Sequence, residues 1–448
     1  MSRILIIAFE FPPLNSGGSR RPDRIAKSLA ERGHEVCVWT ADYEGTWLHA
    51  RCDKVEEKNT PRLTVEHLPL RDKNQRFKWY SSGYSFQPDG YYTLWSKALI
   101  TRWNEMLASD LHPDVIFLTI PPFSMYRFAQ RIRRESTIPL VVDFRDHWSL
   151  WVMTPFASRL HYQLMKLRER KLIEAASAVL TVTTEMKADL IQSHGKKFGD
   201  RIHCVTNSFD DYRSAQWNPS FQSNGKIVIG YFGAFYYFPE IAESISQPWY
   251  RRKPWQWFLY APRDENWKYR SPFFFFKLIR KLVDRHPEYA HRLELVFVGS
   301  RPAWWDEMVV KSGVKNLIRH TGPLSAKASL QMQQTCDLLL LTSVKVNQGR
   351  DYCIAGKTFE FFAARIPILG VVTVGAQRDI LERSGAALCT DPDQPEVAAE
   401  ELHELLSGQR TLHPNTEFME RFQTSRVIYQ LEEILLGALR KGPFGDPL

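Results

Sequence analysis

Short apolar runs of about five residues, rich in Ile, Val and Leu, recur along the chain with longer amphipathic stretches between them. Strands buried on both faces of a parallel sheet read this way, because crossover helices cover each face and no polar alternation is required. The first run, Arg3 to Ala8, leads through a loop containing Pro and Gly into a stretch with helical spacing, Arg20 to Arg32, which Gly33 is placed to cap. Glu35 to Thr40 follows as the second strand, so the chain opens on a β-loop-α-β unit. Further strands are expected at Leu63 to Leu68, Val115 to Thr119, Leu140 to Asp143 and Ala178 to Val182, with the clearest helix at Ser158 to Ala176.

Between Val205 and Lys226 this pattern gives way to Asn, Ser, Pro and Gly among polar residues, the composition of a linker. It then restarts with Ile227 to Phe232, Leu293 to Val298, Leu317 to His320, Asp337 to Leu341, Pro367 to Val371 and Ala387 to Cys389. From about Glu396 onward the chain reads as mostly helical. Two consecutive α/β units are the simplest account: residues 1–206 and 227–425, a linker 207–226, and a C-terminal helix and tail 426–448. Two segments break the alternation. Arg71 to Trp103 mixes six basic residues with nine aromatics, and Trp249 to Lys277 again places Trp, Phe and Tyr among Arg and Lys. Both read as insertions between sheet elements.

Composition narrows the classes. A chain of 448 residues accommodates two large domains at roughly 150 or more residues each. Its 44% hydrophobic and 13% aromatic content excludes disorder as the main state. No apolar run approaches the ~20 residues of a membrane-spanning helix. The formal charge of +9 favours anionic partners such as phosphates, nucleotides or acidic lipid. Six cysteines without a C-x-x-C pair suggest neither a zinc site nor a disulfide framework, and point to a reduced, cytoplasmic compartment. A strand-like run directly after Met-Ser-Arg makes export unexpected.

Three constellations could carry chemistry. The loop Phe9 to Arg21 lies between a parallel strand and a helix N-terminus. There Gly17 and Gly18 let backbone N–H groups approach a phosphate, and Arg20 and Arg21 add positive charge. The spacing is not G-x-G-x-x-G, and a tight turn with solvated arginines is the alternative. The second is VVDFRDHW, Val141 to Trp148, at the C-terminal end of a buried strand, where open α/β sheets place ligands. Asp143, Arg145, Asp146 and His147 could orient an acceptor hydroxyl or move a proton, and an Asp–Arg pair could equally be a buried contact holding the fold. In the third, Arg350 to Gly370, Gly356, Lys357 and Thr358 open a short helix and Glu360 follows one turn on. A lysine at a helix start suits a diphosphate, and a carboxylate there can take two hydrogen bonds from sugar hydroxyls; the alternative is an i,i+3 pair between Lys357 and Glu360. The basic aromatic segments could sit at an anionic membrane surface or be buried; a nucleic-acid partner is not expected, since no recognition module appears.

The order of FEFPPLNSGGSRRPDRIAKSLAERGHEVCVWTA, VVDFRDHW, AASAVLTVTTEMKADL, IVIGYFGAF and GKTFEFFAARIPILG resembles GT-B glycosyltransferases of the group one or family four type over nearly the whole chain. The resemblance implies an α/β protein with two Rossmann-like domains facing across a cleft and a C-terminal helix returning to the N-terminal domain. It implies a nucleotide-diphosphate sugar donor held by the C-terminal half and an acceptor held by the N-terminal half. It also implies transfer with retention, with no metal and no cofactor beyond the donor. Carried over by position, Gly17 and Gly18 resemble the glycine-rich loop near the donor diphosphate and the acceptor, Lys357 the diphosphate-binding lysine and Glu360 the second carboxylate of E-x7-E on the nucleotide ribose, while Arg145, Asp146 and His147 stand where the family places acceptor-side and catalytic groups.

Two positions depart from the family pattern. Tyr352 stands eight residues before Glu360, where the first glutamate of E-x7-E would lie, with Asp351 beside it. After Ile227 to Phe232 the chain continues GAFYYFPE, without the usual diphosphate-gripping arginine and lysine, so Arg20, Arg301 or Arg350 would have to substitute. The expected activity is sugar transfer to a glycan or lipid-linked saccharide at the inner membrane face. A soluble small-molecule acceptor, a non-catalytic sugar-nucleotide or glycan binder and a nucleotide-sugar epimerase are the alternatives.

Overall fold

The computed structural model describes residues 1–46, 48–52, 60–71, 89–150, 155–210 and 225–441. The chain divides into two compact units. The first comprises Met1–Ser208, Gln247–Pro262 and Thr424–Leu448, and the second Phe209–Ser246 and Arg263–Gln423.

In the first unit seven strands, β1 (Arg3–Ile7), β2 (Glu35–Ala41), β3 (Leu63–Leu68), β4 (Val115–Ile120), β5 (Leu140–Phe144), β6 (Ala178–Thr181) and β7 (Ile202–Cys204), form one sheet. All pairs are parallel, in the order β3-β2-β1-β4-β5-β6-β7. Helices α1 (Arg20–Glu31), α2 (Tyr91–Leu107), α3 (Tyr126–Glu135), α4 (Arg159–Ala175) and α5 (Thr184–His194) make the crossovers. The all-apolar strands are buried because helices cover both faces. Ser158 caps α4, its hydroxyl accepting from the His161 N–H, which explains why the helical spacing starts there.

In the part of the aromatic run before Trp103 that lies within the described residues, Tyr91, Trp95 and Trp103 belong to the core. They lie on α2, whose Trp95 and Trp103 are fully buried, the latter donating from Nε1 to Glu135 at 2.9 Å. The remainder of that run, residues 72–88, lies outside the described residues.

The second unit repeats the plan. Strands β8 (Ile227–Phe232), β10 (Leu293–Val298), β11 (Ile318–Gly322), β12 (Leu338–Thr342), β14 (Ile368–Val371) and β15 (Ala387–Thr390) form a parallel sheet in the order β11-β10-β8-β12-β14-β15. A separate two-stranded pair joins β9 (Glu265–Asn266) and β13 (Lys345–Val346). The helices are α6 (Pro239–Ser246), α7 (Phe273–Arg285), α8 (Tyr289–Arg292), α9 (Trp305–Ser312), α10 (Ala326–Gln333), α11 (Gly356–Ala364), α12 (Ala376–Ser384), α13 (Pro395–Leu406) and α14 (Thr416–Glu420).

The last helix, α15 (Thr424–Lys441), belongs to the first unit. Its Val427, Ile428, Leu431 and Leu435 are buried against Ile25 and Leu29 of α1 and the sheet, at about 1.5–3 kcal/mol per side chain. Arg32 and His34 also meet Glu432 there.

The aromatic segment Trp249 to Lys277, read from sequence as one insertion, is divided. Trp267, Tyr269, Phe275 and Phe276 are buried in the second unit. Residues 247–262 join the first unit, where Phe156 and Tyr260 exchange backbone hydrogen bonds of 2.9 Å in each direction.

Candidate functional site

Both sheets place their first strand beside their fourth, so consecutive crossovers leave in opposite directions and open a crevice at the carboxyl ends of β1 and β4, and of β8 and β12. Chemistry is expected at those ends.

In the first unit the loop after β1 carries Glu10, Gly17 and Gly18. The turn into α1 is locked by two serines: the Ser19 N–H donates to Ser16 Oγ at 3.1 Å, and Ser19 Oγ donates to the Ser16 carbonyl at 2.9 Å. Ser16 Oγ donates to Glu10 at 3.0 Å, and Arg145 Nη1 stands 3.5 Å from the same carboxylate. A Cβ on Gly18 would overlap both the Glu10 carboxylate and the Arg145 guanidinium, whereas one on Gly17 would meet nothing within 4 Å. The absent side chain at Gly18 therefore lets this ion pair lie against the loop. Gly17 and Arg20 face outward.

Arg21 turns inward. It forms a bidentate pair with the fully buried Asp143, at 2.8 Å from Nη2 and 3.0 Å from Nε, and also donates to the carbonyls of Val205 and Thr206. Thr119 Oγ1 donates to the same carboxylate at 3.1 Å.

The rest of VVDFRDHW is equally committed. Arg145 donates to the carbonyls of Ile120 and Pro121. His147 is fully buried, with Nε2 2.9 Å from Asp189 of α5. Just beyond it, Ser149 binds Glu169 of α4 through N–H and hydroxyl. Asp146, between Arg145 and His147, is partly exposed. Asp143 thus lies in a buried Asp–Arg contact of the kind considered from sequence, its partner being Arg21, while Arg145 and His147 bond to neighbouring elements.

The second unit presents a different arrangement. Helix α11 opens at Gly356 with no side-chain cap from Ala355, so its first-turn N–H groups and dipole face the loop end. Lys357 Nζ lies 3.7 Å from the Tyr231 ring centroid, at the end of β8. Gly233, at φ +118°, brings the backbone after β8 close to this ammonium, and Gly299, at φ +148°, packs so tightly that a Cβ would strike the Gly233 carbonyl.

A second cation, Arg270, follows β9. Its carbonyl accepts from Thr342 Oγ1, at the end of β12, at 3.3 Å, and its guanidinium lies 5.6 Å from the rings of Tyr236 and Trp267. Burial pushes the Lys357 pKa down to about 7; Arg270 pushes the same way, and Glu360 opposes. Among the described residues neither cation forms an ion pair or hydrogen bond with a carboxylate; aromatic rings lie against both, while Glu360 near Lys357 and Asp351 near Arg270 partly offset the cost of burial.

The substitutes suggested by sequence lie elsewhere in bonding. Arg301 pairs with Asp306 and Arg350 with Asp379, both at exposed positions. Thr358 is fully buried and its hydroxyl meets Gln377 at 3.2 Å. Glu360 is partly buried one turn beyond Lys357. Asp351 accepts from the Cys353 N–H at 2.9 Å in a local turn, and Tyr352 is buried with Arg263 4.9 Å from its ring centroid.

Sequence reasoning missed Glu10 and Arg270. Each had a signal, a lone carboxylate just past an all-apolar strand and a cation inside an aromatic run. Among the described residues one cluster has metal-ligand chemistry, His286, Glu288 and His403. Its imidazoles stack at 3.7 Å and 9°, so their in-plane lone pairs run nearly parallel rather than converging.

Residues 16–207 match the family described as Glycosyl transferase 4-like domain. The lipopolysaccharide outer core galactosyltransferase WaaB has a similar structure, with TM-score 0.56 and 11% identity over 97% of this chain and 99% of that one. The HepE protein of Anabaena, solved with UDP and glucose, gives 0.54 and 15% over 97% and 100%. The trehalose 6-phosphate synthase of Burkholderia multivorans gives 0.61 and 13% over 98% and 99%. No curated protein sequence gives a significant match. The fold is thus that of the GT-B glycosyltransferases. The match to a glycosyl transferase 4-like domain lies in the N-terminal portion, which contains the first sheet.

Proposed function

We propose that the chain transfers a sugar from a nucleotide-diphosphate donor to a hydroxyl of a glycan or lipid-linked saccharide, with retention and without a metal. The observation that carries this reading is the juxtaposition of Lys357 and Arg270, two cations lying over aromatic rings beside an uncapped helix start at the carboxyl ends of β8 and β12. Departure of a nucleoside diphosphate concentrates negative charge on phosphate oxygens. Fixed cations and helix N–H groups stabilise that charge without reorganising. Arg270 then fills the place of the missing basic pair after β8, and Glu360 receives the ribose hydroxyls. In the first unit the Glu10–Arg145 pair, lying against Gly18, receives the acceptor. The departing phosphate takes the hydroxyl proton as the new bond forms, so the chain supplies orientation and charge rather than a nucleophile.

Lys357→Ala and Glu360→Ala are expected each to abolish transfer while the protein stays folded. Activity is read by release of nucleoside diphosphate from UDP-, GDP-, TDP- and ADP-sugars, with an acceptor panel and excess chelator present. Wild-type turnover in either variant removes the assignment.

One observation favours a second reading, a non-catalytic sugar-nucleotide binder. Tyr352 is buried and Asp351 is engaged in a turn, so neither stands in for the first glutamate as a sugar-facing carboxylate. Calorimetric donor binding with no turnover on any acceptor decides for it.

A further inference from the structure

Residues 247–262, QPWYRRKPWQWFLYAP, carry three basic side chains and six aromatic ones without a single Asp or Glu. They form a self-braced loop. Arg252 donates to the carbonyls of Gln247, at 2.7 Å, and Leu259, at 3.5 Å, drawing the two ends together. Trp257 Nε1 donates back to the Arg252 carbonyl at 3.0 Å. Its base is fixed to the first unit by the Phe156–Tyr260 backbone pair and by Tyr260 against Tyr162 of α4, with ring centroids 5.0 Å apart.

The bracing satisfies polar atoms inward and leaves the rings outside. Trp249 is 63% exposed, Tyr250 64%, Phe258 75% and Trp257 45%. Single exposed aromatics are ordinary, but a contiguous group of them on one rigid loop marks a contact surface. Trp249 meets both Tyr250 and Trp257 edge-on, at 6.1 and 6.4 Å, so the group is contiguous. On α4, next to this base, Leu160 and Leu167 are also exposed, together with Arg159 and Lys171.

We propose that this loop docks the first unit on an anionic lipid bilayer. Trp and Tyr rings, with an apolar body and a polar edge, partition to the headgroup boundary, and nearby Arg and Lys are attracted by acidic lipid. A glycan platform would pair its rings with carboxylates that accept hydroxyl protons. This segment has no carboxylate, so its charge suits phosphate-bearing lipid instead.

The inference goes beyond the transfer reaction and is measured without turnover, so its failure and that of the proposed function are separable. The full chain is floated with vesicles of phosphatidylcholine alone and with about 30% phosphatidylglycerol. The wild type is expected to float with the acidic vesicles and to be released at high salt. Trp249→Ala with Phe258→Ala is expected to weaken partitioning at least about tenfold, and Arg251→Glu with Lys253→Glu to remove the preference for acidic lipid. Both pairs are exposed, and unchanged melting curves confirm that the fold is intact. Equal flotation of wild type and variants, absence of the wild type from acidic vesicles, or retention on immobilised oligosaccharide that vesicles do not compete overturns the proposal.

Discussion

The crevices of the two sheets share one strand order and differ in what they do with charge. At the end of β5 the arginine and the carboxylate are mutually saturated: Arg21 gives Asp143 three donor contacts and spends its remaining N–H groups on backbone carbonyls. At the end of β8 two cations stand over aromatic rings, and burial drives the lysine toward its neutral form. The first arrangement is complete as it stands. The second is the one that, on the proposed reading, an incoming anion would complete. A motif dense in ionisable residues is therefore weaker evidence for a ligand site than buried charge that no ion pair saturates.

Breaking each crevice should expose the contrast. The largest effect is expected from Asp143→Ala, which leaves the Arg21 guanidinium buried without its counter-charge; loss of one partner of such a pair costs about 3–5 kcal/mol. Urea unfolding of the first unit should shift to lower denaturant accordingly, while nucleotide affinity of the folded protein stays near wild type. Next come Lys357→Met and Arg270→Met, which keep apolar stems and delete the cations. Turnover should fall by about 10²–10³-fold for each, the scale of removing one fixed transition-state contact. Stability should not fall. If Lys357→Met destabilised the protein as Asp143→Ala does, the distinction between finished and unfinished charge would fail.

The central strands were legible in the sequence because a strand buried on both faces needs only a nearly continuous apolar run: Ile227–Phe232 and Leu293–Val298 lie where the pattern places them. The three-residue β7 and the short β9–β13 pair were not, since two or three residues carry no period. Lys357 was legible from its place before a helix. Arg270 was not, because its approach to Lys357 depends on how a short turn after β9 and the strand ends pack, across some 87 positions of chain, about which local spacing is silent. Likewise nothing in Arg20-Arg21 distinguishes the outward from the inward arginine except the helical phase that puts Arg21 against Asp143.

A pH series sharpens the comparison further. Lys357 in the folded state has a pKa of about 7, well below the ordinary lysine range. Below pH 7 both folded and unfolded chains carry the charge, and its burial penalty is fully present. Between about 7 and 10.4 the unfolded chain binds more protons, so stability contributed by this residue rises with pH across that window. Nucleoside diphosphate affinity should run the opposite way, falling up to roughly tenfold per unit above pH 7 as the free protein loses the ammonium. Binding near pH 7 should take up a proton, measurable by calorimetry in buffers of different ionisation enthalpy. In Arg270→Met the midpoint should move upward, because a neighbouring positive charge has been removed. A midpoint that stays put would show that the two cations do not share a site.

The smallest effect is expected from neighbouring glycines in the first unit, and it tests whether the Glu10–Arg145 pair matters. A methyl group on Gly17 meets open space, so Gly17→Ala should bind acceptor and turn over like the wild type. On Gly18 the same methyl overlaps the tips of both Glu10 and Arg145. Those tips can swing aside, so stability should change by less than about 1 kcal/mol, within the range of ordinary surface changes. Their displacement separates the pair and removes the carboxylate from the Ser16 hydroxyl. The acceptor KM should therefore rise several-fold in Gly18→Ala while donor affinity is unchanged, since Lys357 and Arg270 belong to the other unit. Equal kinetics for the two glycine variants would mean that the pair only braces the loop, and the acceptor would have to be sought against Asp146 instead.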